Sequence, residues 1–425
     1  MNKEIRSIAK SKGLSLMEYI LKRNQEIAKT TGINRTILAA CPNSQSVLKA
    51  ALRAAKRANA PIKFATTLNQ VDREGGYTGL TPEQFVKTIY QEARSINLKS
   101  PVIIAIDHGG PWLKDQHRLQ NLSVDEAMLE VKKSFESAID AGYDLIHVDP
   151  TIDITLDPGD IIDIKVVVDR TVELIKHCEA YRTKKNLPRI AYEVGTEEVH
   201  GGLVDLSVFN QFFDLLKEGL SKEGLADTWP CFVVGKVGTD LHTTEFDPEV
   251  ANTIVKIAAT YGSVIKGHYS DNVTNPEAYP ASGMGGANVG PEYTEREYES
   301  LMELIALERQ LFEEGKVPKQ SHLKEMLWQA VIVSNRWKKW LSKDENTEDF
   351  YANSPSRQEW LVKTGCRYIW EEPEVSVARN LLYSNLQHND IRAEEIVLSH
   401  IEKAMDKYYN KFNLIDLNDY LLETT

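Results

Sequence analysis

PVIIAIDHGGP, residues 101–111, is an apolar run that stops abruptly at an acid and a histidine. Val, Ile and Ala follow one another without polar alternation, as they do in a strand buried on both faces of a helix-covered parallel sheet. Runs of the same kind recur on either side of it: TILAACP at 36–42, PIKFATT at 61–67, LIHVDP at 145–150, RIAYEVG at 189–195, CFVVGKV at 231–237, SVIKGHY at 263–269 and GGANVG at 285–290. Amphipathic, mostly helical connectors separate them. Eight βα units between Thr36 and about Glu313 suit a closed (β/α)8 TIM barrel better than an open doubly wound sheet. The connector after the seventh run, SDNVTNPEAYPASGMGG, carries too much Pro, Gly and Asn to be a regular crossover helix throughout.

Outward from the barrel, Ile5, Ile8, Leu16, Tyr19 and Ile20 have helical spacing, so residues 1–35 read as short N-terminal helices. The barrel takes 36–317. Beyond it, LKEMLWQAVIVSNRWKKWL, SRQEWLVKTGCRYIW and EEIVLSHIEKAMDKYYNKF contain no β-rich run, so 318–425 reads as a helical C-terminal extension packed on the barrel or on a neighbouring subunit.

The 425 residues carry 50 Lys plus Arg against 62 Asp plus Glu, a net charge of −12. No basic field is present to release counterions from a polyphosphate, which excludes nucleic-acid and anionic-membrane partners. Cys41, Cys178, Cys231 and Cys366 lie far apart without a CxxC pair, so neither a disulfide framework nor a thiolate zinc site is expected. A reducing cytoplasm is the simplest compartment. The polar N-terminus shows no signal peptide, and no run approaches a membrane span.

A barrel places its chemistry at the C-terminal ends of its strands, so polar residues that close apolar runs are the candidates. These are Asn69 and Gln70 after the second run, Asp107 and His108 after the third, Asp149 after the fourth, and Glu193 and Glu197 at the fifth. His242 follows the sixth, His268, Ser270 and Asp271 follow the seventh, and Asn288 lies in the eighth. Three histidines with intervening carboxylates have the donor types of a divalent metal site. By strand alternation His147 points the same way as Asp149 and reads as a structural neighbour of the site. His200 is a loop candidate for closing over substrate. His117, His177, His322, His388 and His400 read as solvated.

GGYTGLTP at 75–82 combines turn chemistry with Thr81 as an N-cap and Pro82 at the first helical position, and it overhangs the mouth with Tyr77. GGANVGP stands where barrels bind phosphate through backbone N–H groups. Lys236, Lys266, Ser270 and Asn288 are further phosphate contacts by location. There is no GxxxxGK[ST] cradle, kinase constellation or GxSxG elbow, so nucleotide-dependent phosphoryl transfer and serine hydrolysis lack their machinery.

NQVDREGGYTGLTPEQF, IDHGGP, IHVDPT, EVGTEE and the VGP of GGANVGP resemble, in order and spacing, the class II tagatose-bisphosphate aldolase non-catalytic subunit family. Its superfamily includes sugar-phosphate 4-epimerases, and its parent group is the zinc-dependent class II aldolases. The resemblance implies a TIM barrel with Asp107 as acid/base and His108, His242 and His268 as metal ligands. Glu193 and Asp149 match further acidic positions, so Asp107, Glu193 and Asp149 form the implied catalytic set. Asn69, Gln70, Tyr77, Glu197, Lys236, Ser270, Asp271 and Asn288 form the substrate-binding set. Where the parent group has a Gly-Gly-Ser-Gly phosphate loop after strand seven, HYSDN stands instead, which argues against bisphosphate cleavage. The implied cofactor is a divalent ion, Zn, Mn, Ni or Co. The activity expected is 4-epimerisation of a ketohexose phosphate, fructose 6-phosphate to tagatose 6-phosphate, by retro-aldol cleavage of C3–C4. The alternative is a stabilising partner for a catalytic tagatose-1,6-bisphosphate aldolase subunit; homo-oligomers are also compatible.

Overall fold

The computed structural model describes residues 3–157, 160–195, 205–240, 243–342, 345 and 348–423. Each of the eight apolar runs contains a strand: β1 Ile37–Ala40, β2 Ile62–Thr66, β3 Val102–Gly109, β4 Leu145–Val148, β5 Ala191–Gly195, β6 Phe232–Val234, β7 Val264–Gly267 and β8 Gly286–Val289. All pair in parallel with their sequence neighbours, and β1 pairs with β8, so the barrel is closed. Closure leaves no edge, and helices cover the outside; that is why the strands need no polar face.

The connector after β7 forms only the short helix Ala278–Ala281, consistent with its Pro and Gly content. After β2, Thr81 caps the helix Pro82–Ser95 in a capping box with Gln84. Gly76 at φ +53 lies so close to the backbone that a Cβ there would meet Asn69 O at 2.7 Å, which fixes glycine in this loop.

Before the barrel, helices Lys3–Ser11 and Leu16–Thr31 cover the N-terminal rim of the strands. Arg6 pairs with Asp144 at the start of β4, and Arg189, before β5, pairs with Glu18 at 2.9 Å. The C-terminal residues form helices that pack on the barrel of the same chain. Helix Ala393–Lys411 lies along helix Gln45–Ala58, burying Val397, Ile401 and Met405, with Arg53 and Arg57 both reaching Glu402. Thr36 N donates to Phe412 O at 3.2 Å, and Tyr19 OH donates to Leu421 O at 2.8 Å, so the two ends of the chain meet under the barrel. The other end of the extension reaches the mouth, where Lys339 pairs with Asp115 at 2.7 Å and the Tyr368 ring packs edge-on against Tyr77. Among the described residues all four cysteines are free, and no helix is long and apolar enough to cross a membrane.

One contact tests how the first and last helices of the barrel are joined. Ser44 caps helix Gln45–Ala58 by accepting from Val47 N at 3.1 Å, and its hydroxyl donates to the buried Glu297 carboxylate. Ser44→Ala removes a cap and leaves a buried carboxylate short of a donor, so the unfolding free energy should fall by about 1–3 kcal/mol in denaturant titration. A loss below about 0.5 kcal/mol, under the lower end of the cap range, would show that Glu297 does not depend on this hydroxyl.

Candidate active site

The centre of the mouth is set by an irregularity in β3. Strand alternation would send Asp107 and His108 to opposite faces. The β3–β4 register shifts between Ile106 and Gly109, and His108 adopts φ +50, a left-handed conformation unusual for a residue with a side chain. Both side chains therefore reach the interior. A Cβ on Gly110 would collide with the Asp149 backbone, so the Gly-Gly that follows is what lets β3 pass so close to β4.

Asp107 Oδ2 accepts from Asn288 Nδ2 at 3.0 Å, and Asp107 Oδ1 lies 3.3 Å from Lys266 Nζ. Lys266 also contacts Glu193 Oε1, while Lys63 donates to Glu193 Oε2 at 3.0 Å. All four charged groups are buried. Burial pushes the Asp107 carboxyl up, but Lys266 and the neighbouring histidines outweigh it and hold the group well below the usual carboxylate range. Glu193 is treated the same way by Lys266 and Lys63. Burial lowers Lys63, whereas for Lys266 the two carboxylates outweigh burial and raise it.

Three histidine rings meet beside these carboxylates, with centroids 4.4 Å apart for His108 and His268 and 5.1 Å for His108 and His147. His108 Nδ1 is 2.6 Å from Asp149 Oδ2, and Asp149 Oδ1 accepts from Thr151. That arrangement orients the His108 ring and leaves Nε2 for another partner. Burial lowers the His108 pKa, but Asp107 and Asp149 together raise it. His147 Nδ1 accepts from the His108 backbone N–H at 3.1 Å. It thus supports the bulge in β3. His268 Nε2 is buried without a hydrogen-bond partner, 3.5 Å from Asp107 Oδ1 and 3.7 Å from Glu193 Oε1. Burial and the Lys266 charge lower its pKa, favouring the neutral, ligating form.

These residues fit a divalent ion. Asp107, His147, Glu193 and His268 form one group of potential ligands, and His108, His147 and Asp149 a second. The 3.5 and 3.7 Å spacings match those between ligands placed at about 2.1 Å around a tetrahedral centre. His268 Nε2, His147 Nε2 and Glu193 Oε1 are all buried without a hydrogen-bond partner, and such an ion would supply one. Lys266 is the opposing feature, because its ammonium already neutralises both carboxylates. His242, the remaining ligand candidate, lies outside the described residues, as do Glu197 and His200.

The other candidate positions separate into two groups. Asn288 reaches the centre. Ser270 is buried nearby with an unpartnered Oγ, and Lys236 follows β6 partly exposed. Asn69, Gln70, Tyr77 and Asp271 hold loops together. Asn69 donates to Leu113 O at 3.0 Å and accepts from Asp115 N; Gln70 accepts from Thr67 N and donates to Asn43 Oδ1, which also receives the Tyr77 hydroxyl at 3.0 Å. Asp271 Oδ1 accepts from Gly290 N and Glu292 N, both at 2.8 Å, at the start of helix Pro291–Glu313. The Gly290 N–H of GGANVGP and the Glu292 N–H just beyond it are therefore already used by a carboxylate of the chain. Reading His117 as solvated was incorrect: it is buried, and its Nδ1 accepts from Trp112 N, because the short helix Asp115–Leu119 folds inward.

Lys63 was overlooked and Lys266 undervalued, although a single lysine inside an otherwise apolar strand was the signal for each. Tyr269, which the sequence does not single out, is a further residue with unusual backbone. It adopts φ +54 beside His268, and strained backbone of this kind concentrates at functional sites.

A family model described as D-tagatose-1,6-bisphosphate aldolase subunit GatZ/KbaZ-like matches residues 21–416. The chain is similar in structure to a protein of Sinorhizobium meliloti 1021 described as a probable tagatose 6 phosphate kinase, with a TM-score of 0.73 and 21% identity over 89% of this chain and 100% of that one. It also resembles the fructose-bisphosphate aldolase of Campylobacter jejuni, with a TM-score of 0.53 and 13% identity over 94% of this chain and 96% of that one. At these identities the likeness concerns the fold alone, which is an aldolase-like barrel. The match along nearly the whole chain shows that this protein belongs to the GatZ/KbaZ-like family of D-tagatose-1,6-bisphosphate aldolase subunits.

Proposed function

We propose that the chain is a divalent-metal-dependent 4-epimerase of ketohexose phosphates, interconverting fructose 6-phosphate and tagatose 6-phosphate. The observation that carries this reading is the buried Asp107 carboxylate, which Lys266 holds well below the usual range, 3.5 Å from the unpartnered Nε2 of His268. In a ketose the C4 proton is not acidified by the C2 carbonyl, so inversion by simple deprotonation at C4 is unfavourable. Cleaving C3–C4 avoids that proton altogether. Asp107 accepts the C4 hydroxyl proton, the C3–C4 pair moves into an enediolate over C2 and C3, and C4 becomes an aldehyde. After the aldehyde presents its other face, the C3–C4 bond reforms and Asp107 returns the proton to the new C4 hydroxyl. His108 and His268, with His242, are the residues that would hold the ion. Its contribution when bound would be Lewis-acid stabilisation of the charge developing on the C2 and C3 oxygens. Lys266 and Asn288 keep Asp107 ionised and oriented.

The test is turnover by the lone chain. With added Zn, Mn, Ni or Co, fructose 6-phosphate should be converted to tagatose 6-phosphate, chelator should stop conversion, and one of the ions should restore it. A second reading, supported by the description of the family as an aldolase subunit, is a stabilising partner of a catalytic aldolase chain. No turnover alone, combined with activation of a separate tagatose-bisphosphate aldolase, would establish that reading and end the first.

A further inference from the structure

At the end of helix Pro291–Glu313 that faces the mouth, Asp271 already accepts from the Gly290 and Glu292 N–H groups, so those two donors are not open to a substrate anion and side-chain donors come into question. Most cations around the mouth are already neutralised. Lys63 and Lys266 serve Glu193 and Asp107, Lys114 serves Asp72 and Glu74, Arg170 serves Asp153, and Arg336 serves Asp115.

Arg367 differs. It lies in the C-terminal extension, with its guanidinium carbon 5.0 Å from the Trp340 ring centroid and 5.5 Å from that of Tyr368. Among the described residues it has no carboxylate within ion-pair distance, and its Nε is buried without an acceptor. Its charge acts on Cys41 after β1, Tyr77 in the loop after β2, and Tyr269 and Asp271 after β7. Cys41 and Tyr269 also feel Asp107, so the guanidinium shares neighbours with the acid/base at the centre. Arg336 reinforces the same wall, its guanidinium carbon 5.4 Å from the Tyr77 ring and 5.0 Å from Tyr368. A buried guanidinium with no carboxylate in direct contact keeps hydrogen-bond donors to give, and its planar fork matches two oxygens of a phosphate or carboxylate.

We propose that Arg367 is the anion-binding residue of the mouth, taking the terminal phosphate or carboxylate of the sugar. The C-terminal extension would thereby complete the substrate site of the barrel. The identity of the sugar rests on the epimerase reading, whereas the anion site is tested by binding alone.

The experiment is calorimetric titration of the full chain and its Arg367→Met and Arg367→Lys variants with fructose 6-phosphate, fructose, inorganic phosphate and a ketohexuronate. The wild-type chain should bind fructose 6-phosphate or the ketohexuronate more tightly than fructose, and whichever is preferred identifies the anion as phosphate or carboxylate. Arg367→Met should raise Kd for the preferred anionic sugar by roughly tenfold to a hundredfold, the loss of a charge-assisted bidentate pair, while Kd for fructose stays constant. Arg367→Lys, which keeps the charge and the aromatic contact, should fall between. Inorganic phosphate should raise the unfolding temperature of the wild type more than that of Arg367→Met if phosphate is the anion. A folded Arg367→Met or Arg367→Lys chain with unchanged affinity for the anionic sugars overturns the proposal, and so does a wild-type chain with no preference for them over fructose. A wild-type chain that binds in an Arg367-dependent way without turning over refutes the epimerase reading and leaves the anion site standing.

Discussion

Asp107→Asn is expected to lower kcat for fructose 6-phosphate by about 10²–10⁴-fold, the range attached to loss of a positioned general acid/base. The amide cannot accept the C4 hydroxyl proton, and among the described residues neither neighbouring carboxylate stands free to replace it: Glu193 lies against Lys63 and Lys266, and Asp149 is bound to His108 and Thr151. The fold should survive, because the substitution retains the shape and the oxygen that faces Lys266 or Asn288. Initial rates of tagatose 6-phosphate formation, with the circular dichroism spectrum as a folding control, give the measurement. A variant within a few-fold of wild type would remove Asp107 from the mechanism.

Lys266→Met should have the largest effect on stability. The ammonium neutralises two buried carboxylates at once, and breaking a buried pair from one side typically costs about 3–5 kcal/mol, because a desolvated charge is left behind. Lys63 still compensates Glu193 in the variant, but Asp107 keeps only Asn288 and the histidines. The sign with pH follows from the direction of the shifts. Asp107 and Glu193 are held below their ordinary values, so their contribution is fully present above the unfolded carboxylate range near pH 4 and is lost as pH falls through the depressed folded values. The deficit of Lys266→Met against wild type should therefore be full at pH 7 and shrink on acidification below about pH 4. Denaturant titrations at pH 7 and at acid pH measure it. A pH-independent deficit would mean that packing, and not ion pairing, is what Lys266 supplies.

How much of this was legible depends on the kind of residue. The eight strands were, because each is buried on both faces and so appears as an uninterrupted apolar run. Asp107, His108, Asp149, Glu193 and His268 were selected as polar residues closing such runs, and the structure brings these five together. Asn69 and Gln70 satisfy the same rule but spend their amides on neighbouring loops, Asn69 on Leu113 and Asp115 after β3 and Gln70 on Thr67 and on Asn43 after β1. His117 looked solvated because its short helix is polar in sequence, while its ring is turned inward onto Trp112.

Composition and periodicity alone determined a closed parallel barrel with helices at both ends and a mouth lined by acids and histidines, since burial on two faces and burial on one leave different local patterns. Tertiary structure decided which of those groups meet and in what charge state. The β3 bulge turns Asp107 and His108 to the same side, Lys266 on β7 contacts Asp107 on β3 and Glu193 on β5 and holds both below the usual carboxylate range, and Asp271 occupies the helix terminus that GGANVGP was expected to offer to phosphate. The extension brings the Tyr368 ring onto Tyr77 in the loop after β2. These are contacts between residues far apart in the chain, fixed by barrel register and by a few left-handed backbone positions, and electrostatics in a desolvated interior depends on those distances and not on residue type.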